Sequence, residues 1–185
     1  KTPLTGIKNY VELLNDPTIS EEDKKSYLER LNQYTDRLSI LITDLFEVSK
    51  ANSGNIDLEY SNINIIEFIE QVCAENEELL QAKNLQLVTN LPEKEIHVCL
   101  DGNKTYRIFE NLFTNISKYA LENTRVFLDV KDIGNLVVIT MKNTSKAPLD
   151  FDSDITERFV RGDKSRHESG SGLGLAIVKS FTEVQ

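Results

Sequence analysis

Tryptophan is absent from this chain of 185 residues, methionine occurs once, and there are two cysteines and two histidines. Cys73 and Cys99 are too few for a disulfide framework or a four-ligand zinc site. Both sit among apolar neighbours and read as buried, reduced thiols of a cytoplasmic protein. No run approaches the roughly 18 consecutive apolar residues of a membrane helix. The opening KTPLTGIKNY is no signal peptide either. It lacks an initiator Met and the closing SFTEVQ lacks a helix stop, so we expect a segment of a longer protein. Positive charge is short as well: 21 Lys and Arg stand against 30 Asp and Glu, a formal net charge of −9. That balance disfavours sequence-independent nucleic-acid binding, which needs a positive surface. What remains, 39% hydrophobic and 28% charged residues, is enough to pack a core and argues against global disorder.

The first third is heptad-patterned. Leu4, Ile7, Val11 and Leu14 form one stripe; after Asn15-Asp16-Pro17-Thr18 a second runs Leu31, Tyr34, Leu38, Leu41, Leu45, Val48. Steps of three and four place each stripe on one narrow helix face. Ser20 followed by Glu21, Glu22 and Asp23 is a helix start, and Pro3 would bend any helix that precedes it. Two helices with one seam each make a thin core. A second copy completes a four-helix bundle, although packing on the rest of the chain would also cover the seam.

Asn52-Ser53-Gly54-Asn55 breaks the pattern, so the expected domains are 1–52 and 56–185. Beyond it we expect a strand over 56–60, a helix over 65–81, and strands over 85–88 and 96–100. A long helix over 104–120, capped by Asp101, comes next, then a hairpin of 126–130 and 136–141. Residues 143–153 read as loop, 154–159 as a short helical turn, 161–171 as a polar loop, and 173–181 as a last amphipathic helix. The fold class is α+β: a helical hairpin, then helices over one largely antiparallel sheet.

Three segments carry possible chemistry. Asn111, Asn115 and Lys118 fall at i, i+4 and i+7 of the long helix, apart from its apolar set Phe109, Leu112, Phe113 and Ile116. Two amides and an ammonium suit a metal-bound phosphate, and a solvated helix face has the same look. Gly170-Ser171-Gly172-Leu173-Gly174 opens the last helix, where small residues allow close backbone approach and helix-start N–H groups attract anions. It is neither the dinucleotide nor the P-loop pattern. The cationic stretch from Glu157 through Phe159 and Arg161 to Arg166 precedes it like a phosphate lid, or like an ordinary solvated loop.

Taken in order, these residues resemble the cytoplasmic core of a bacterial two-component sensor histidine kinase. Lys1-Thr2-Pro3-Leu4-Thr5 is similar to the tail of that family's phosphoacceptor motif. Residues 111–120 resemble its asparagine box, 157–166 its phenylalanine box, and 170–174 with Leu175-Ala176-Ile177-Val178-Lys179 its second glycine box. The resemblance covers essentially the whole chain. It implies a dimerisation and phosphotransfer hairpin followed by an ATP-binding sandwich of the Bergerat type.

The implied activity is ATP-dependent autophosphorylation of a histidine and relay to an aspartate of a response-regulator receiver domain. The implied cofactors are ATP and Mg²⁺. Asn115 would be the Mg²⁺ ligand with Asn111 beside it, and Asn111 and Arg161 would act in catalysis. Lys118 and Arg161 would meet phosphates, Tyr119 would line the nucleotide, and Asn143 would read adenine. Gly170, Gly172, Leu173 and Gly174 would close over the triphosphate, and Thr2 would orient a water for dephosphorylating the partner. The implied parent is a homodimer at the inner face of the cell membrane.

Two departures stand out. The family's phosphorylated His lies three residues before Lys1, and neither His97 nor His167 has the motif context. The first glycine box is degenerate: Lys142-Asn143-Thr144-Ser145-Lys146 places Asn143 at the usual Asp, so the adenine amino group would meet an uncharged acceptor. That motivates an alternative, a non-catalytic docking module with a degenerate nucleotide site. A third reading is another ATPase of the same superfamily, such as a chaperone or topoisomerase, which the KTPLT hairpin disfavours.

Overall fold

The computed structural model describes residues 3–146 and 172–185. The expected helical turn at 154–159 and the polar loop at 161–171 lie outside them. The chain divides into two compact units, Lys1–Ser49 and Lys50–Gln185.

In the first unit, α1 (Pro3–Leu14) opens on proline, whose fixed φ and missing N–H suit a first helical position. Asp16 ends the connection by accepting from the Thr18 backbone N–H at 2.8 Å and hydroxyl at 2.6 Å. Those two bonds, the hydroxyl's first, hold its carboxyl below the usual range. The long helix α2 (Glu21–Asn52) starts as expected: the Asp23 N–H donates to Ser20 Oγ at 3.0 Å, and three acids fill its first turn.

The contact between the helices centres on Tyr34 of the expected α2 stripe, whose Leu31, Leu38 and Leu41 are half-buried and whose Val48 is buried. Gly6 is buried, and a Cβ there would lie 2.7 Å from the Tyr34 ring. Tyr10 packs its ring 5.6 Å from that of Tyr27 and 5.9 Å from that of Tyr34. Of the α1 stripe, Leu4 stays 65% and Val11 43% exposed, and on α2 Ile40, Ile42 and Phe46 are also exposed. One helix pair has too few faces to cover these apolar positions.

The second unit is built around α5 (Gly102–Tyr119) lying on strands. Its order is β1 (Tyr60–Asn64), α3 (Ile65–Glu75), α4 (Glu77–Gln81), β2 (Gln86–Asn90), β3 (His97–Asp101), α5, β4 (Arg125–Asp132), β5 (Val137–Asn143), α6 (Gly174–Glu183). Val126, Leu128 and Val130 alternate inward on β4 and meet Phe109, Phe113 and Ile116 of α5 and Ile65, Ile69 and Val72 of α3. Burial of these side chains is the main drive for this unit.

Four expectations change. The first strand begins at Tyr60, because Tyr60 pairs with Asp101, the last residue of β3, and residues 56–59 have no strand backbone opposite. The single helix over 65–81 is two, because the Asn76 amide donates to the Val72 carbonyl at 2.8 Å and ends the first. The strands form two sheets, β1-β3 and β2-β4-β5, and the β2–β4 pair is parallel because a long crossover containing α5 joins them. Cys99 is exposed: Val98 and Leu100 turn to the core, so the residue between them faces out. Cys73 is buried, and burial, with Glu70 nearby, pushes its thiol up to about 11. The expected β4–β5 hairpin is present, turning at Gly134 with φ +92°.

Gly6→Ala forces a methyl into the Tyr34 ring. It is expected to destabilise the hairpin by about 1–3 kcal/mol, read as a lower thermal midpoint of its helical circular-dichroism signal. An unchanged midpoint would show that the ring relocates without cost.

Candidate functional site

The site residues are set by how α5 is started and what lies along it. Asp101 Oδ1 accepts the Lys104 N–H at 3.0 Å and its Oδ2 the Glu59 N–H at 2.9 Å. Burial works to raise this carboxyl. The N–H groups of Lys104, Glu59 and Asn103, with the Lys104 charge, outweigh burial and hold it below the usual range. From that cap the helix turns Thr105, Phe109, Phe113 and Ile116 inward and leaves Asn111, Asn115 and Lys118 half-buried along a second stripe.

Against that stripe lies the start of α6. Gly172 takes φ +72°, Leu173 is buried, and Gly174 is the first helical residue. A Cβ on Gly174 would stand 3.0 Å from Asn111 Oδ1 and 3.6–3.7 Å from the two amide atoms of Asn115. A side chain here would have to push the Asn111 amide back by a few tenths of an ångström, so glycine is the residue that fits without adjustment. Asn111 donates its amide N–H to the Arg107 carbonyl at 2.8 Å, which aims its oxygen toward Gly174. The Asn115 amide has no hydrogen bond among the described residues, which leaves its oxygen available to a ligand. Among the described residues no side chain caps the α6 N-terminus, and its first turn carries no acid. A helix start of this kind presents partial positive charge to an anion.

At the far end of α5, backbone bonds bring in the segment after β5. The Leu121 N–H donates to the Thr144 carbonyl at 2.8 Å, the Lys146 N–H to the Tyr119 carbonyl at 2.9 Å, and Ala120 bridges Ser145. So Thr144, Ser145 and Lys146, read from sequence as loop, are laced to the helix end beside Lys118 and Tyr119, and Asn143 closes β5 exposed.

The fold therefore brings Asn111, Asn115 and Gly174 together, with Gly172 and Leu173 leading in. Tyr119 lies near the Asn143 segment, one turn beyond Asn115. Thr2, Arg161 and Gly170 lie outside the described residues. Sequence reasoning missed Thr105 and Gln185, which tie the other end of α6 to α5, because no local pattern marks a contact across 80 positions. No group of three His, Cys, Asp or Glu able to hold a metal occurs among the described residues, so a cation here would rely on amide oxygens and its own ligand's oxygens.

Comparison with known proteins adds two family matches. Residues 100–185 match the histidine kinase-, DNA gyrase B- and HSP90-like ATPase family, and residues 1–54 the His Kinase A (phospho-acceptor) domain. The sensor protein VanS of Enterococcus faecium is 34% identical over 98% of this chain and 48% of its own length. The sensor protein kinase WalK of Staphylococcus aureus is 31% identical over 99% of this chain and 45% of its own length. The chain thus spans about half the length of these relatives.

Among solved structures, the histidine kinase AdeS of Acinetobacter baumannii superposes with TM-score 0.74 at 16% identity, over 99% of this chain and 84% of that one. Full-length ShkA in complex with AMPPNP superposes with TM-score 0.70 at 23% identity, over 99% and 38%. Histidine kinase ThkA in complex with the response regulator TrrA gives 0.57 at 22% identity, over 75% and 40%. At these identities the structures speak for the fold.

Asp101→Ala removes the cap of α5. It is expected to cost about 0.5–2 kcal/mol near neutral pH, seen as a lower thermal midpoint. Because the folded carboxyl titrates below its ordinary value of 3.8, the stabilisation is complete above that pH and fades as pH falls further. The gap between variant and wild type should narrow in acid; a gap that stays constant down to about pH 2 would contradict this role.

Proposed function

The chain belongs to the two-component sensor histidine kinases, as a phospho-acceptor hairpin followed by an ATPase domain, and from that premise we propose that residues 56–185 bind Mg-ATP between α5 and the start of α6. The observation that carries this reading is the approach of Gly174 to Asn111 and Asn115. Asn115 offers an amide oxygen to the cation, Asn111 holds its neighbour's position, and the α6 N-terminus faces the phosphates with Lys118 adding positive charge. Mg²⁺, when bound, neutralises phosphate charge and orients the triphosphate. Tyr119 and Asn143, at the C-terminal end of α5, are placed to line the base, and an amide at Asn143 both donates and accepts. Arg161 and Gly170 belong to the same proposal by resemblance, as lid residues.

The reaction proposed is transfer of the γ-phosphoryl group to a histidine and onward to an aspartate of a response-regulator receiver domain. Neither histidine of this chain lies in the matched segment 1–54, so the acceptor is proposed to belong to a longer form of the protein. Thr2 is proposed to serve the reverse, dephosphorylating direction. Catalysis consists of positioning and charge neutralisation.

The exposed Leu4, Val11, Ile42 and Phe46 support homodimerisation through the hairpin. Among the described residues no helix is long and apolar enough to cross a membrane, and attachment of the parent to the cytoplasmic face of one is part of the proposal. Nothing in the comparisons favours the non-catalytic docking module, and the intact Asn111–Asn115–Gly174 arrangement argues against it.

Calorimetric titration of Mg-ADP tests the site. The wild-type chain is expected to bind saturably and Asn115→Ala to bind at least about tenfold more weakly, the equivalent of roughly 1.4 kcal/mol. A folded wild-type chain that takes up no nucleotide would return the docking module to first place.

A further inference from the structure

The two ends of α6 are held in different ways. At its start, Gly174 stands so close to Asn111 that even a methyl group would be tight. At its finish, the Gln185 amide acts as a buckle. Its Oε1 accepts both the Asp101 backbone N–H at 2.9 Å and the Thr105 hydroxyl at 3.0 Å, and its Nε2 donates to the Phe181 carbonyl at 3.0 Å. Asp101 and Thr105 are buried, and Asp101 is the residue that caps α5. One side chain therefore joins the last turn of α6 to the first turn of α5. Lys104 Nζ, 5.2 Å above the Phe181 ring, reinforces the same junction.

α5 and α6 run antiparallel, with Thr105 beside Gln185 at one end and Asn111 and Asn115 beside Gly174 at the other. A helix is stiff along its axis, at about 1.5 Å per residue. Fixing one end in hydrogen-bond register therefore fixes the other. A slip of one residue would move Gly174 by about 1.5 Å along the asparagine stripe, enough to separate amide oxygens from a cation held by phosphate oxygens. Packing of Ile177 and Phe181, both fully buried, holds α6 down but is non-directional. The hydrogen bonds of Gln185 are directional.

We propose that Gln185, acting through Thr105 and the Asp101 backbone, is a positioning residue of the nucleotide site: it sets the axial register of α6 and so the spacing of Gly174 from Asn111 and Asn115. This rests on the nucleotide-binding reading above and adds to it a determinant at the opposite end of the helix pair. Neither Gln185 nor Thr105 touches the ligand.

The test is Mg-ADP titration into wild type, Gln185→Met, Thr105→Val, Thr105→Ser and Asn64→Ala, each with its thermal midpoint. Asn64→Ala removes the cap of α3, whose Asn64 oxygen accepts from the Ile66 N–H at 3.2 Å, and so lowers stability without touching the α5–α6 pair. The expected result is Mg-ADP binding weakened about tenfold by Gln185→Met and about threefold by Thr105→Val, the scale of one or two net hydrogen bonds. Thr105→Ser, which restores the hydroxyl, should bind within about twofold of wild type, and Asn64→Ala should bind as wild type. Two results overturn the proposal while leaving the nucleotide site standing. One is wild-type affinity in both Gln185→Met and Thr105→Val; the other is an equal loss in Asn64→Ala at a similar midpoint. Absence of binding by the folded wild type overturns the proposal and the nucleotide reading together.

Discussion

The close approach of α6 to α5 at Gly174 is the contact on which the proposed nucleotide site depends. It sets a residue without a side chain on one helix against two short amides on the other. It also demands that both helices be held firmly, since amide oxygens and helix-start N–H groups are weak individually and act only when they converge. α5 is held by the Asp101 cap and by Phe109, Phe113 and Ile116 packed on β4. α6 is held by burial of Ala176, Ile177 and Phe181, with hydrogen bonds at its far end. Preorganisation of this kind suits the proposed phosphoryl transfer, in which the protein would contribute geometry and charge rather than covalent chemistry.

The hairpin solves a different problem. Its two helices meet through Gly6 and three tyrosines, a contact of ring faces against bare backbone. Leucines and isoleucines that a self-sufficient pair would bury remain on the outside. An apolar surface of that extent is costly in water and is what an interface with another helix pair removes. The leucine periodicity that marks the helices thus leaves part of its apolar stripe open for the proposed association.

Local chemistry explains why some elements could be read in advance. Ser20 and Asp101 cap the helices they were expected to cap, because a cap needs only a side-chain oxygen a few residues before an amphipathic run. The alternation of β4 and the Asp132–Gly134 turn are likewise encoded within a few residues. The division of 65–81 at Asn76 escaped notice because hydrophobic periodicity continues across it, and one amide bond to Val72 decides the break.

The amino-acid sequence by itself determined the fold class, the spacing of Asn111, Asn115 and Lys118 on one helix, and the glycines that open α6, and with them the family. Each depends on interactions within about ten residues, where side-chain periodicity and backbone conformation are coupled directly. Tertiary structure alone decided that β1 pairs with β3, that β2 runs parallel to β4, that Cys99 faces out, that Gly6 is the residue of α1 set against Tyr34, and that Gln185 reaches Asp101. Those outcomes join positions tens of residues apart. They are selected by which surfaces can be buried together once the helices and strands exist, a choice that no local pattern carries.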